Sequence, residues 1–142
     1  MKELKTEIII NAPKEKVWAV MMDFAAYPEW STFIRSIEGE AKLGARLKNT
    51  LCLTTSDQIF KPVITKMEEG NAFEWLGSIP LGLFKGRHYF ILEARGEQQT
   101  KLIHGEVFSG LLRGLIMNKI GEDTMKGFQA WNKALKSRVE NL

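Results

Sequence analysis

From Met117 to the C-terminus, Met117, Ile120, Thr124, Phe128, Trp131, Leu135 and Val139 or Leu142 recur at three-and-four spacing. That spacing lays one largely apolar stripe along an α-helix. The helix it predicts, from about Leu111 to Leu142, is long and amphipathic, so it needs a surface to lie on. Only the preceding chain can supply one. Between about Arg35 and Phe108, short β-branched and aromatic runs alternate with Gly, Asn, Asp and Ser, the pattern of a meandering antiparallel sheet. One terminal helix over one sheet is the simplest architecture. Gly114, Gly121 and Gly127 lie in or beside the helical pattern, each costing about 1 kcal/mol of helix stability relative to Ala. Their usual meaning is a bend or a close backbone approach, so imperfect closure of helix on sheet is expected.

The 142 residues fit a single domain spanning 1–142 and suffice for a core without staples. The single cysteine, Cys52, excludes an internal disulfide framework and gives no metal-site spacing; it is expected as a small, at least half-buried strand residue. Met1-Lys2-Glu3 leads into a polar-alternating run rather than a signal peptide, and no apolar stretch approaches the ~20 residues of a membrane span. A soluble cytoplasmic protein is the expectation. The net charge of +3 comes from basic residues interleaved with acidic ones, with no dense basic stripe or stacking motif, which argues against nucleic-acid binding.

Leu4, Thr6, Ile8 and Ile10 alternate with Lys5 and Glu7, predicting a first strand with one buried face. Asn11-Ala12-Pro13 ends it and opens a helix, Asn as cap and Pro in the first turn, that carries Val17, Trp18, Met21 and Phe24 on one side. Tyr27-Pro28 starts a second short helix, with Trp30, Phe33, Ile34 and Ile37 at helical spacing. Strands follow near 35–41, 46–54, 58–68, 72–78, 84–94 and 100–108. Breaks fall at Lys42-Leu43-Gly44, Ser56-Asp57, Glu69-Gly70-Asn71 and Gly96-Glu97-Gln98, and Pro62 argues for an edge or bulge. The predicted order is β, α, α, six β, long α: a curved seven-stranded antiparallel sheet wrapped around the C-terminal helix.

Three segments carry a family resemblance: Asn11-Ala12-Pro13-Lys14-Glu15-Lys16-Val17-Trp18, Tyr27-Pro28-Glu29-Trp30, and the run from Thr100 through His104, Glu106 and Phe108 to Gly110. With this element order, they resemble the START-like, or SRPBCC, superfamily (Bet v 1-like), and within it the bacterial polyketide cyclase/dehydrase-type branch. The resemblance spans essentially the whole chain. It implies an α+β helix-grip fold with a hydrophobic cavity between sheet and helix, and no universal catalytic residue. Lipid carriers, aromatase/cyclases and chaperone activators share that fold, so it does not choose a function.

In the last strand Leu102, His104, Glu106 and Phe108 share one face and Ile103, Gly105, Val107 and Ser109 the other. Apolarity alone leaves the choice open; the resemblance favours the His104/Glu106 face as inner. In the neighbouring strand Gly86, His88, Phe90 and Leu92 oppose Lys85, Arg87, Tyr89, Ile91 and Glu93, and here the charges themselves turn the histidine inward. Directly opposed cross-strand residues approach within about 5 Å, close enough for His88, His104 and Glu106 to form a hydrogen-bonded set. That set reads either as an anchor for a ligand's carbonyl or hydroxyl, with Glu106 or a histidine as general base, or as structural pairing under the helix.

The candidate ligand-binding residues are Trp75, His88, Phe90, His104, Glu106, Phe108, Met117, Ile120 and Gly121. The apolar segment Ser78–Phe84 occupies a loop, so it folds over an opening or meets another subunit. Ile79, Leu81, Leu83 and Leu111 are the candidate rim. No metal and no cofactor is implied. The leading reading is a noncatalytic module holding a small or medium hydrophobic molecule (lipid, polyketide or aromatic metabolite) in a cavity of the usual ~300–1,000 Å³, with a homodimer as a further option. The alternatives are a cyclase-, dehydrase- or hydrolase-type enzyme using Glu106 with His88 or His104, and a protein-interaction module of the chaperone-activator or quinone-pathway type.

Overall fold

A computed structural model describes residues 2–53 and 56–142. Strand β1 (Lys2–Ile10) is followed by helix α1 (Lys14–Met22), a 3-10 turn at Phe24–Ala26 and the single-turn helix α2 (Tyr27–Trp30). Then come β2 (Ile34–Glu38), β3 (Lys48–Leu53), β4 (Ser56–Phe60), β5 (Val63–Glu68), β6 (Ala72–Ile79), β7 (Phe84–Ala94) and β8 (Thr100–Ser109), and last α3 (Arg113–Glu140). The described strands form an antiparallel five-stranded sheet, β1-β8-β7-β6-β5, and a three-stranded one, β2-β3-β4. The long helix packs against β1, β8, β3 and the two short helices. No helix among the described residues is long and apolar enough to cross a membrane.

The architecture is the expected helix-grip, with eight described strands in place of seven. The strand expected over 58–68 divides at Lys61-Pro62, because Pro62 has no N–H for a ladder. The two sheets are stitched at this break by backbone bonds from Leu47 N to Pro62 O, 2.8 Å, and Ile64 N to Ala45 O, 2.9 Å. Ser56 and Asp57, expected as a turn, begin β4, and Thr54 of the strand expected over 46–54 lies outside the described residues. The second helix ends at Trp30, so Ile34 and Ile37 belong to β2. Asn11 is not a helix cap: α1 begins at Lys14 after Pro13, and the Asn11 side chain instead accepts a bond from Gln99.

The packing along α3 is uneven. Its C-terminal half buries Phe128, Trp131, Asn132, Leu135 and Val139; Trp131, fully buried, meets the rings of Tyr27, Trp30, Phe90 and His104 and donates its indole N–H to Ser31 Oγ at 2.9 Å. The N-terminal half buries only Met117, Gly121 and Thr124. Large rings close the interface at one end, while small residues leave it less filled at the other.

Gly127 and Gly114 are expected to respond oppositely to alanine. A Cβ on Gly127 would collide with the Phe33 ring, whereas Gly114 faces open space. Gly127→Ala should lower stability by about 1–3 kcal/mol despite the better helix propensity, and Gly114→Ala should raise it by up to about 1 kcal/mol. Thermal or urea melts of the two variants check this.

Candidate functional site

A cavity of about 90 Å³ lies beneath the N-terminal half of α3. Leu51 and Leu53 of β3, Phe60 of β4, Trp75 and Gly77 of β6, Phe84 of β7, Phe108 of β8 and Ile120 of α3 supply its apolar walls. Asn49, His88, Glu106 and Thr124 are the polar groups among them. Phe60, 40% exposed, is the one exposed lining residue and marks the mouth. The space falls well short of the volume expected from the sequence, because Phe33, Phe60, Phe84 and Phe108 project into it from several sides.

Register explains how the polar end is assembled. His88 stands directly opposite Glu106, and Phe90 opposite His104, on the inward faces of β7 and β8. Gly86 lies diagonally beside Glu106, and a Cβ there would overlap the Glu106 carboxyl; the glycine is the space the carboxyl occupies. His88 Nε2 and His104 Nε2 are 2.7 Å apart, with the ring planes only 1° apart and centroids at 4.9 Å, so the imidazoles meet edge to edge in one plane. Phe90 and Phe128 each pack within 5.0 Å of both imidazoles without a ring contact to each other, one on either side of that plane.

The far end of the chain of bonds settles which nitrogen carries each proton. Thr6 Oγ1 donates to the His104 carbonyl, 2.8 Å, so it must accept from Asn132 Nδ2, 2.8 Å. The Asn132 Oδ1 therefore faces His104 Nδ1, 2.7 Å, and accepts its N–H. In a neutral His104 the Nε2 is then an acceptor, and His88 donates to it from its own Nε2. His88 Nδ1 is left as an acceptor, 3.8 Å from Glu106 Oε1 and beyond hydrogen-bond length.

Burial, joined for His88 by the neighbouring imidazole, lowers both histidines: His88 well below the usual 6.5 and His104 to about 3. Both stay neutral near pH 7. Burial pushes Glu106 the other way, from 4.5 up to about 8, so it is a neutral acid over most of that range although its side chain remains 18% exposed. Glu106 and His88 thus face each other as a proton donor and a proton acceptor rather than as an ion pair.

Of the residues expected at the site, the cavity brings together Trp75, His88, Glu106, Phe108 and Ile120. Phe90, His104, Met117 and Gly121 are buried next to it but outside its lining; His104 has both ring nitrogens bonded inside the protein. The expected rim residues Ile79, Leu81, Leu83 and Leu111 do not line it either. Leu81, at φ +65°, and Leu111 are 92% and 86% exposed, while Phe84, at the end of the 78–84 segment, does line the cavity. A backbone bond from Leu112 N to Leu83 O, 2.8 Å, ties the two loops together. Sequence reasoning missed Asn49, Phe33, Phe60 and Thr124 as lining and Asn132 as the partner of His104. The period-2 run Asn49, Leu51, Leu53 was the available signal for the first. Among the described residues, no group of three or more His, Cys, Asp or Glu side chains is placed to hold a metal ion.

The sequence model of the family described as "Polyketide cyclase / dehydrase and lipid transport" matches residues 1–140. No curated protein matches the chain. Among solved structures, a START superfamily protein from Mycobacterium smegmatis is similar at a TM-score of 0.75 and 19% identity, covering 98% of this chain and 97% of that one. The Zhui aromatase/cyclase from Streptomyces sp. R1128 gives 0.79 and 11%, over 98% and 93% of the two chains. Norcoclaurine synthase from Thalictrum flavum, in complex with dopamine and hydroxybenzaldehyde, gives 0.76 and 12%, over 99% and 87%. At these identities the likeness shows the fold.

The raised carboxyl has a consequence for stability. A group whose folded pKa lies above its unfolded one contributes fully below the unfolded value and loses that contribution as pH rises through the folded value. For Glu106 the window runs from about 4.5 to about 8. Glu106→Gln should match the wild type in melting temperature near the acid end and gain on it steadily up to about pH 8. Parallel curves across the window would show a carboxyl that is solvated when folded.

Proposed function

Because the chain belongs to the polyketide cyclase/dehydrase and lipid transport family, we propose that it binds a small hydrophobic molecule between the sheet and the first half of α3. The Glu106 carboxyl and His88 Nδ1 are its polar contacts. The observation that carries this reading is a largely apolar chamber into which a few polar groups, Glu106 and His88 among them, converge beneath the half of the helix that buries only Met117, Gly121 and Thr124. Such a chamber, with a few convergent polar groups, is the usual form of a ligand site.

The volume limits the guest. A closed apolar cavity of about 150 Å³ holds a benzene ring, so a pocket of about 90 Å³ that opens past Phe60 takes one small ring, with some displacement of that phenylalanine. A lipid chain or a full polyketide needs larger movements of the wall. The norcoclaurine synthase of the same fold, in complex with the single-ring molecules dopamine and hydroxybenzaldehyde, supports a guest of that size.

A second reading, proton transfer on the bound molecule, is favoured by one observation: an acid raised to about 8 beside a neutral imidazole acceptor. Glu106 would then supply the proton and His88 Nδ1 receive one. His104 takes no part, since both its nitrogens are committed elsewhere. Under this reading Glu106→Gln retains the guest and loses turnover.

Toluene and phenol are suitable probes. In two-dimensional NMR each should perturb Trp75, Phe108 and Ile120, and Leu51→Trp, which fills the chamber, should remove the response. Shifts scattered over the surface, or an unchanged response in Leu51→Trp, would contradict binding in this cavity.

A further inference from the structure

Among the described residues, the buried polar side-chain atoms with no hydrogen-bond partner belong to Asn49 and to the half-buried Trp30, and of these two only Asn49 lines the cavity. Asn49 is 1% exposed, and neither its Nδ2 nor its Oδ1 is paired. Its direction follows from the strand: Asn49, Leu51 and Leu53 alternate along β3, and all three line the cavity. Its backbone is fixed between Ile37 of β2 and Phe60 of β4. A leucine would satisfy this position by packing alone. The contrast within the molecule is Asn132, whose two amide atoms are both bonded, as buried amides normally are. The Asn49 amide can be satisfied only by what fills the cavity, water or a ligand.

We propose that Asn49 is a second polar pole of the binding site, and that the guest is a neutral ring compound bearing an acceptor beside a donor, the edge of a carboxamide or lactam. The inference rests on the binding reading above and narrows its ligand class. A side-chain amide offers one N–H donor edge and one carbonyl acceptor in a plane, and the complementary partner is another planar edge with the same two groups reversed. An anionic guest is disfavoured because no lysine or arginine lines the cavity, and a cationic one because the one carboxyl in the lining, Glu106, is held as a neutral acid at neutral pH; a buried charge without a partner is strongly disfavoured. Glu106 and His88, also donor and acceptor, form the other pole. The apolar walls of Trp75, Phe84 and Phe108 suit the ring.

Benzamide and toluene, titrated into the full chain and into Asn49→Leu, test this. Benzamide should bind the wild type more tightly than toluene and shift the Asn49 side-chain NH₂ resonances, which toluene leaves in place. Asn49→Leu should weaken benzamide by roughly tenfold or more, the worth of two hydrogen bonds, bind toluene no more weakly than the wild type does, and melt no lower than the wild type. If benzamide gains nothing over toluene, if its advantage survives in Asn49→Leu, or if that variant melts lower because the amide has a structural partner, the inference is overturned while cavity binding stands. If neither probe binds the wild type, both readings fall.

Discussion

The contact on which the interior depends is the hydrogen bond between the Nε2 atoms of His88 and His104. It joins β7 to β8 within the sheet and, through Asn132, joins the sheet to α3; Thr6 carries the chain of bonds on to β1. Such a network holds only while each member is paired, since a buried polar group without a partner costs about 1–3 kcal/mol. The protons are therefore not free to redistribute. With the Thr6 hydroxyl bonded to a backbone carbonyl, each later donor and acceptor is fixed in turn, and the last group in the sequence, His88 Nδ1, emerges as an acceptor at the cavity. The polar corner is the exposed end of a structural chain.

The cavity itself arises from a mismatch of side-chain size along one helix. Where α3 presents Phe128, Trp131, Leu135 and Val139, the sheet is covered without gaps, and all four are essentially inaccessible. Two turns earlier Gly121 and Thr124 stand in the corresponding places. On the sheet side, Gly77 and Gly86 are paired directly across β6 and β7; Gly86 makes way for the Glu106 carboxyl, and both line the chamber. Thr124 on the helix and Gly77 and Gly86 on the sheet are the small residues around the space, and the phenylalanines that line it set how much is left. Taking Glu106 out of bulk water here is what makes it a neutral acid, so the volume and the chemistry of the corner have one origin.

Much of the fold was legible because its signals are local and periodic. Alternation grouped His88 with Phe90 in β7 and His104 with Glu106 in β8, the charges of β7 turned the first pair inward, the family resemblance favoured the same for the second, and the helical stripe found Phe128, Trp131 and Leu135. Where a period is ambiguous, the reading failed: Ile34 and Ile37, three apart, fit a helix as well as a bulged strand. Pro62 marked a disturbance in the sheet, but whether it bends a strand or divides one depends on the pairing of Leu47 and Ile64 across the gap. Asn132 follows Trp131 directly and sits four residues beyond Phe128, on the edge of the apolar stripe, where an asparagine reads as surface. Asn49 was hidden because one strand's alternation does not reveal that its Leu51 face turns inward. The volume was beyond reach altogether, since it is fixed by the rotamers of rings from separate parts of the chain, Phe33 before β2, Phe60 in β4, Phe84 in β7 and Phe108 in β8.

Nitrogen-15 spectra of the two imidazoles test the central claim most directly, because the proposed arrangement fixes both charge and tautomer. Near pH 6, where a solvated histidine is largely protonated, both rings should be neutral. His88 should carry its hydrogen on Nε2 and His104 on Nδ1. A protonated signal from either ring at that pH, or the same tautomer in both, would contradict the chain of bonds from which the polar corner of the cavity is derived.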